Sequence, residues 1–322
     1  MAARRKRYRY RLRRLVPVGL LVLVAAAGGA WVGSHQHADP AATIAAAQGQ
    51  VFGLEPAAPK TIVAREKLLS DDATLAHTFS PALLGRSAIL VDGTSGRVLW
   101  SLHPHQRRRV ASTTKIMTAL LALRQLAPND VVTIDKSVPR VPLVREGLRA
   151  GEQVKAWKLF YAMLLYSGND SALALAIAAG GTKWHFVHQM NVEARILGLR
   201  DTHFVSPSGV VDAGNYSSAW DLAALTRVAL REPRFRTIVR TRRVQVGWAA
   251  PTFSKIYVNN NRLLASYAGA NGVKTGYTHK AGPCLVASAT RHGVSLIAVV
   301  LDSPDMYGDA KRLLDFGFAS LG

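Results

Sequence analysis

Hydrophobic and polar positions along this chain mark out a long domain whose β-rich ends enclose a helical middle. Ala88-Ile89-Leu90-Val91 and Arg97-Val98-Leu99-Trp100 are short apolar runs separated by Asp92-Gly93-Thr94-Ser95-Gly96, a pattern that predicts a β-hairpin. Ile116, Ala119, Leu120 and Leu123 then recur at helical spacing, and Val110-Ala111-Ser112-Thr113 supplies hydroxyl side chains suited to a helix start. Helical patterns continue over Ala156 to Tyr166, Ser171 to Ala179, His185 to Leu197 and Ser218 to Leu230. Strand patterns return at Gly272 to Gly276, Cys284 to Thr290 and Val294 to Leu301, and Asp309 to Phe318 reads as a closing helix. Strands at both ends can pair antiparallel without a parallel crossover. The expectation is an α+β fold: one antiparallel sheet built from the two ends of the domain, flanked by helices, with a helical insert.

Ahead of that domain the pattern changes twice. Residues 1–33 combine a dense basic stretch with the uncharged apolar run Leu15 to Val32, which reads as a signal or membrane anchor segment. Ala25-Ala26-Ala27 offers a small-residue cleavage site, and the reading favours a retained anchor. The positive-inside bias keeps the basic flank in the cytoplasm and sends later residues outward. Residues 34–80 are rich in Ala and Pro and read as a linker with weak local order, leaving 81–322 as the folded domain.

Composition changes this picture little. With 49% hydrophobic residues in 322, a sizeable core is available and disorder of the whole chain is excluded. The net charge is +21, of which eight charges lie between Arg4 and Arg14, leaving +13 scattered over the rest with no nucleic-acid recognition motif. No nucleic-acid partner is expected; an anionic cell envelope suits the charge equally. Cys284 is the lone cysteine and reads as a small core residue. No histidine has Cys, Asp or Glu neighbours at zinc-ligand spacing, so no metal is assigned.

The candidate chemistry begins at Ser112-Thr113-Thr114-Lys115. Positions i and i+3 of a helix share a face, so the Ser112 hydroxyl and the Lys115 amine can meet as nucleophile and base. Ser-x-x-Lys alone is expected roughly once by chance in a chain this long, but Ser167-Gly168-Asn169 and Lys274-Thr275-Gly276 are each expected on the order of a tenth of a time. A lysine serves as base only when neutral. Burial and the charge of a nearby Lys274 would both lower the Lys115 pKa, while a more exposed Lys274 would stay charged. Lys274 with the Thr275 hydroxyl suits a substrate carboxylate, and Gly276 lets a substrate backbone approach. Ser167 can relay a leaving-group proton, and Asn169 can hold either the substrate amide or the Lys115 side chain.

These three motifs resemble those of the penicillin-recognising serine acyl-transferases. Ile116-Met117-Thr118-Ala119-Leu120, Asn169-Asp170-Ser171-Ala172, Leu197-Gly198-Leu199, Thr202-His203-Phe204 and Asp315-Phe316-Gly317-Phe318 extend the likeness to the low-molecular-mass D-alanyl-D-alanine carboxypeptidases of the peptidase S11 type, from about Ser87 onward. The resemblance implies a penicillin-binding/β-lactamase-like transpeptidase fold. It also implies a cofactor-free serine peptidase that trims the terminal D-alanine of peptidoglycan stem peptides through a Ser112 acyl-enzyme. By the family pattern the backbone N–H groups of Ser112 and Tyr277 form the oxyanion hole, and β-lactam antibiotics acylate Ser112 as inhibitors. Many relatives carry a second β-rich domain and a C-terminal amphipathic helix, so tethering to the cytoplasmic membrane is expected to fall to Leu15–Val32, with the domain outside the bacterial cytoplasm. The segment Asp302 to Gly308 lacks an arginine that relatives often place near the substrate carboxylate, which shifts that task to Lys274 and Thr275. A DD-endopeptidase shares the motifs. A class A β-lactamase would add a glutamate with an asparagine four residues on, and neither Glu193 nor Glu232 has that neighbour. A non-catalytic, membrane-tethered cell-wall binder would not need Ser112, Lys115 and Lys274 together.

Overall fold

A computed structural model describes residues 68–70, 81–210, 214–249 and 253–321. The hairpin forms as expected, with β1 (Ser87–Asp92) and β2 (Val98–Leu102) antiparallel. Asp92 closes its turn, Oδ1 accepting from the N–H groups of Thr94 and Ser95. At the other end lie β7 (Ala270–Thr278), β8 (Gly282–Arg291) and β9 (Val294–Leu301). The sheet order is β2-β1-β9-β8-β7, antiparallel throughout, so β9 joins the two ends of the domain through a register running from Ser87 opposite Leu301 to Asp92 opposite Leu296. This is the α+β arrangement expected of the pattern.

Both faces of the sheet are covered, which is why its central strands are near-continuous apolar runs. Leu296, Ala298 and Val300 face a cluster completed by Ala310, Leu313 and Leu314 of the closing helix α8 (Met306–Leu321). Their alternates Ile297, Val299 and Leu301 are equally buried. That opposite face meets α5 (Ala219–Ala229), which packs on β1 and β9. Before it come α1 (Lys115–Gln125), α2 (Ala156–Tyr161), α3 (Asn169–Gly180) and α4 (Lys183–Ile196). After it come α6 (Pro233–Arg240) and the short α7 (Leu263–Ser266). Thr182 and Ser218 cap α4 and α5, their hydroxyls accepting from His185 N–H and Asp221 N–H.

Six elements were not anticipated: α6, α7, and the strands of two small hairpins, β3 (Val131–Thr133) with β4 (Gln153–Lys155) and β5 (Arg243–Gly247) with β6 (Ser254–Val258). The linker expectation for 34–80 needs correction at residues 68–70. Leu69 is buried, Ser70 bridges Arg97, and the Leu68 carbonyl accepts from the buried Arg227, which also donates to Gly93 and Thr94 carbonyls. An apolar side chain and paired backbone groups dock this piece on the hairpin. The rest of the linker and the whole of 1–33 lie outside the described residues. No described helix is long and apolar enough to cross a membrane.

Candidate active site

Ala111–Thr114 forms a 3-10 turn leading directly into α1, which places Ser112 one turn before the helix and buries Lys115 completely within its first turn. Lys115 Nζ lies 2.8 Å from Ser112 Oγ, 2.8 Å from Asn169 Oδ1 and 3.2 Å from the Ser208 carbonyl. Asn169 arrives from the second motif: Ser167 adopts a left-handed backbone (φ 73°) that ends the preceding helical stretch, and Asn169 opens α3. Of the alternatives for Asn169, the geometry places its amide on Lys115. Ser167 is also buried beside the turn, but its hydroxyl makes no hydrogen bond to Ser112 or Lys115. Its expected relay has no direct link in this state.

The third motif reaches the same place from the sheet. β7 is an edge strand, and a Cβ added to Gly276 would come within 2.9 Å of the Val110 carbonyl and 3.1 Å of the Ser112 nitrogen. Only a glycine lets the strand lie this close to the nucleophile's backbone. Thr275 is half-buried, and Tyr277, two residues on, is 60% exposed. Lys274 departs from expectation. It is 1% exposed, its ammonium donates to the Thr275 carbonyl at 2.9 Å, and burial pulls its pKa down to about 7. The reason is the close packing of β7 against the Ala111–Thr114 turn, beside the buried Lys115, which leaves the side chain little access to water.

Lys115 is held well below the ordinary lysine value, by burial first and by the charge of Lys274 second, with Asp170 opposing. Its three neighbours have a chemical consequence. The Asn169 oxygen and the Ser208 carbonyl can only accept, so they take the two N–H groups of a neutral amine and leave its lone pair aimed at the Ser112 hydroxyl. Such an arrangement can withdraw the serine proton.

Two supports of this cluster had no signature in the motifs. The Ser206-Pro207-Ser208-Gly209 turn brings the Ser208 carbonyl to Lys115; Thr118 Oγ1 donates to the Pro207 carbonyl at 2.6 Å, and Gly209 (φ 74°) sits against the Ala111 carbonyl. The other is Asp170, fully buried, whose carboxylate accepts from the N–H groups of Glu146, Gly147, Leu148 and Ser171. A backbone carbonyl leaves no trace in sequence, whereas Asp170 follows Asn169 directly and a buried-carboxylate reading of Ser-Gly-Asn-Asp could have found it. In the Asp302 to Gly308 connection, Asp302 pairs with Arg108 and Arg86. Cys284 is buried, in keeping with its reading as a core residue. Among the described residues no group of three or more His, Cys, Asp or Glu side chains could hold a metal.

The sequence profile of the D-alanyl-D-alanine carboxypeptidase family, peptidase S11, matches residues 75–305. This chain belongs to that family. It is 33% identical over 244 residues to a D-alanyl-D-alanine carboxypeptidase of Bacillus subtilis, matching 73% of this chain but 62% of the relative's length. It is 34% identical over 262 residues to a D-alanyl-D-alanine carboxypeptidase of Streptomyces sp. strain K15, covering 74% of this chain and 89% of the other. The crystal structure of the Streptomyces K15 DD-transpeptidase superposes with a TM-score of 0.72 at 34% identity, covering 75% of this chain and all of that one. The fold is thus that of the penicillin-binding DD-peptidases, with the sheet order and flanking helices described above.

Proposed function

We propose that this family member is a serine-type D-alanyl-D-alanine carboxypeptidase acting on peptidoglycan stem peptides. The observation that carries the reading is Lys115 Nζ, wholly buried, 2.8 Å from Ser112 Oγ and fixed between Asn169 Oδ1 and the Ser208 carbonyl. Lys115 in its neutral form takes the Ser112 proton as Ser112 Oγ attacks the carbonyl of the penultimate D-alanine; the bond to the terminal D-alanine breaks, and the leaving amine takes up a proton. Water then hydrolyses the acyl-enzyme and restores the hydroxyl. The N–H groups of Ser112 and Tyr277 hold the oxyanion, supported by the close approach of the Gly276 strand to Ser112. Lys274 in its charged form, with Thr275, receives the terminal carboxylate, and Ser167 passes the proton to the leaving amine once substrate fills the cleft.

Asp170, the residue after Asn169, is held by four backbone N–H groups, and Glu146, whose backbone N–H it accepts, pairs through Oε1 with Lys255; both arrangements speak for structural roles over the activation of water in the manner of a β-lactamase. Tethering to the cytoplasmic membrane through Leu15–Val32, with this domain outside the cytoplasm, belongs to the same proposal and rests on the basic flank and apolar run.

The test is the intact mass of the full chain followed over time after adding benzylpenicillin, alongside D-alanine release from a diacyl-lysyl-D-alanyl-D-alanine peptide. A lasting adduct and D-alanine release, both lost in Ser112→Ala and lowered about 10²- to 10⁴-fold in Lys115→Ala, are the expected results. Penicillin turnover without an accumulating adduct would overturn the reading in favour of a lactamase; no adduct, no turnover and no release would favour a binding-only protein.

A further inference from the structure

The loop from Pro142 to Leu148 lies against the Ser-Gly-Asn turn and carries none of the three motifs. It determines which way the Asn169 amide points. Asn169 N–H donates to the Val144 carbonyl at 2.8 Å and Asn169 Nδ2 to the Pro142 carbonyl at 3.3 Å, leaving Oδ1 to face Lys115. The loop is not in a relaxed shape: Leu143, 64% exposed, has φ 67°. A non-glycine residue persists there only when its surroundings hold it.

One hold is Asp170, bonded to the N–H groups of residues 146–148. The other comes from outside the motif regions. Lys255 of β6 donates to Glu146 twice, to Oε1 at 2.5 Å and to the main-chain carbonyl at 3.2 Å. The Glu146 side chain is only 3% exposed, so this is a carboxylate committed to one cation inside the protein. The same ammonium stands 5.7 Å over the ring of Tyr166, the residue before Ser167. Lys255 therefore touches both the loop and the turn that the loop braces.

We propose that the Glu146–Lys255 pair is a positioning latch for the reaction: it holds the Pro142–Leu148 loop on the Ser-Gly-Asn turn and so keeps the Asn169 oxygen on Lys115. The proposal rests on the acyl-transfer reading of the site. Neither residue touches the reacting atoms. Their effect passes through Asn169, where a misplacement of about 1 Å can cost about 10²-fold in rate.

The test compares the full chain with Glu146→Gln, Lys255→Met, the double variant and Lys255→Arg, measuring the second-order rate of acylation by a fluorescent penicillin from pH 5 to 10, with circular dichroism as a check on folding. Each charge-removing variant is expected to slow acylation about 10- to 100-fold. The double variant should be no slower than the worse single, and Lys255→Arg should restore most of the rate. The pH profile separates positioning from simple electrostatics. Lys115 faces Lys274 and Asp170, and Glu146 faces Lys255, Tyr257 and Asp170. Acting only through space, loss of the Glu146 charge and loss of the Lys255 charge would move the acid limb of the profile in opposite directions. Loss of the latch moves both downward, because Lys115 loses an acceptor that favours its ammonium form. Unchanged rates, limbs shifting oppositely, or losses that multiply in the double variant would overturn the proposal. If Glu146→Gln does not fold, Lys255→Met and Lys255→Arg alone decide it, since Lys255 is 36% exposed. An unacylated wild type overturns the acyl-transfer reading and the latch with it; an acylated wild type with unchanged variants overturns the latch alone.

Discussion

Replacing Lys274 by methionine should make the protein more stable while removing its activity. Lys274 is buried, and burial holds its pKa at about 7 against an ordinary 10.5. At about 1.4 kcal/mol per pKa unit, that gap costs the folded state about 5 kcal/mol when the lysine is fully protonated. Methionine forfeits the hydrogen bond from Nζ to the Thr275 carbonyl, which offsets about 1.5–3 kcal/mol and leaves a net gain of about 2–3 kcal/mol. The sign with pH follows from proton counting. Between about 7 and 10.5 the unfolded chain carries a proton on Lys274 that the folded chain lacks, so wild-type stability rises with pH across that window. Below 7 the full cost is present, and above 10.5 it is gone. Lys115 adds to the wild-type slope, since its pKa is also lowered, and it relaxes upward once the Lys274 charge is removed. Urea denaturation of both proteins at pH 6, 8 and 10, with m-values compared, measures this directly. The variant should lead at pH 6 and lose that lead by pH 10. A lead that stays constant over the range, or a variant less stable at pH 6, would refute the reasoning.

Asp170→Asn removes the charge that four backbone N–H groups share and should cost about 2–4 kcal/mol in denaturant unfolding; because Asp170 raises the Lys115 pKa, its loss should also move the acid limb of acylation to lower pH. Gly276→Ala places a methyl 2.9 Å from the Val110 carbonyl and 3.1 Å from the Ser112 nitrogen; backbone must shift, and the acylation rate should fall about 10- to 100-fold while the circular dichroism spectrum stays native. Cys284 is buried with its thiol pushed up to about 11, so an aromatic disulfide reagent at pH 8 should leave the native protein unlabelled and label one thiol per chain once denaturant is added.

How far the sequence could be read differs from element to element for physical reasons. Val294–Leu301 was legible to the residue because a strand covered on both faces is apolar throughout and is bounded by Gly293 and Asp302. Ser112 and Lys115 were legible because helical geometry alone brings i and i+3 together. The burial of Lys274 was not, since nothing in Lys-Thr-Gly says how closely the strand packs against the turn beside it. The β5–β6 hairpin was missed although Val244 and Val246 alternate correctly; its outward residues Ile256 and Val258 are exposed and apolar, which blurs the period-two signal. The Pro142–Leu148 loop and the Ser208 carbonyl act through main-chain atoms, and main-chain atoms are the same in every residue.

The seam between β1 and β9 dictates an order of events as the polypeptide is made. Residues facing each other there, such as Ser87 and Leu301, are separated by most of the domain, and Asp309 in the closing helix binds the N–H groups of Leu84 and Gly85 just ahead of β1. Until β9 has been synthesised, the first hairpin has no central partner and β8 lacks one edge. In a nascent chain the turn carrying Ser112 and the α1 start carrying Lys115 would be made well before the Lys-Thr-Gly strand has a sheet to belong to. Assembly dominated by such distant pairings is intrinsically slow, and the cleft would be among the last parts of the molecule to come into existence.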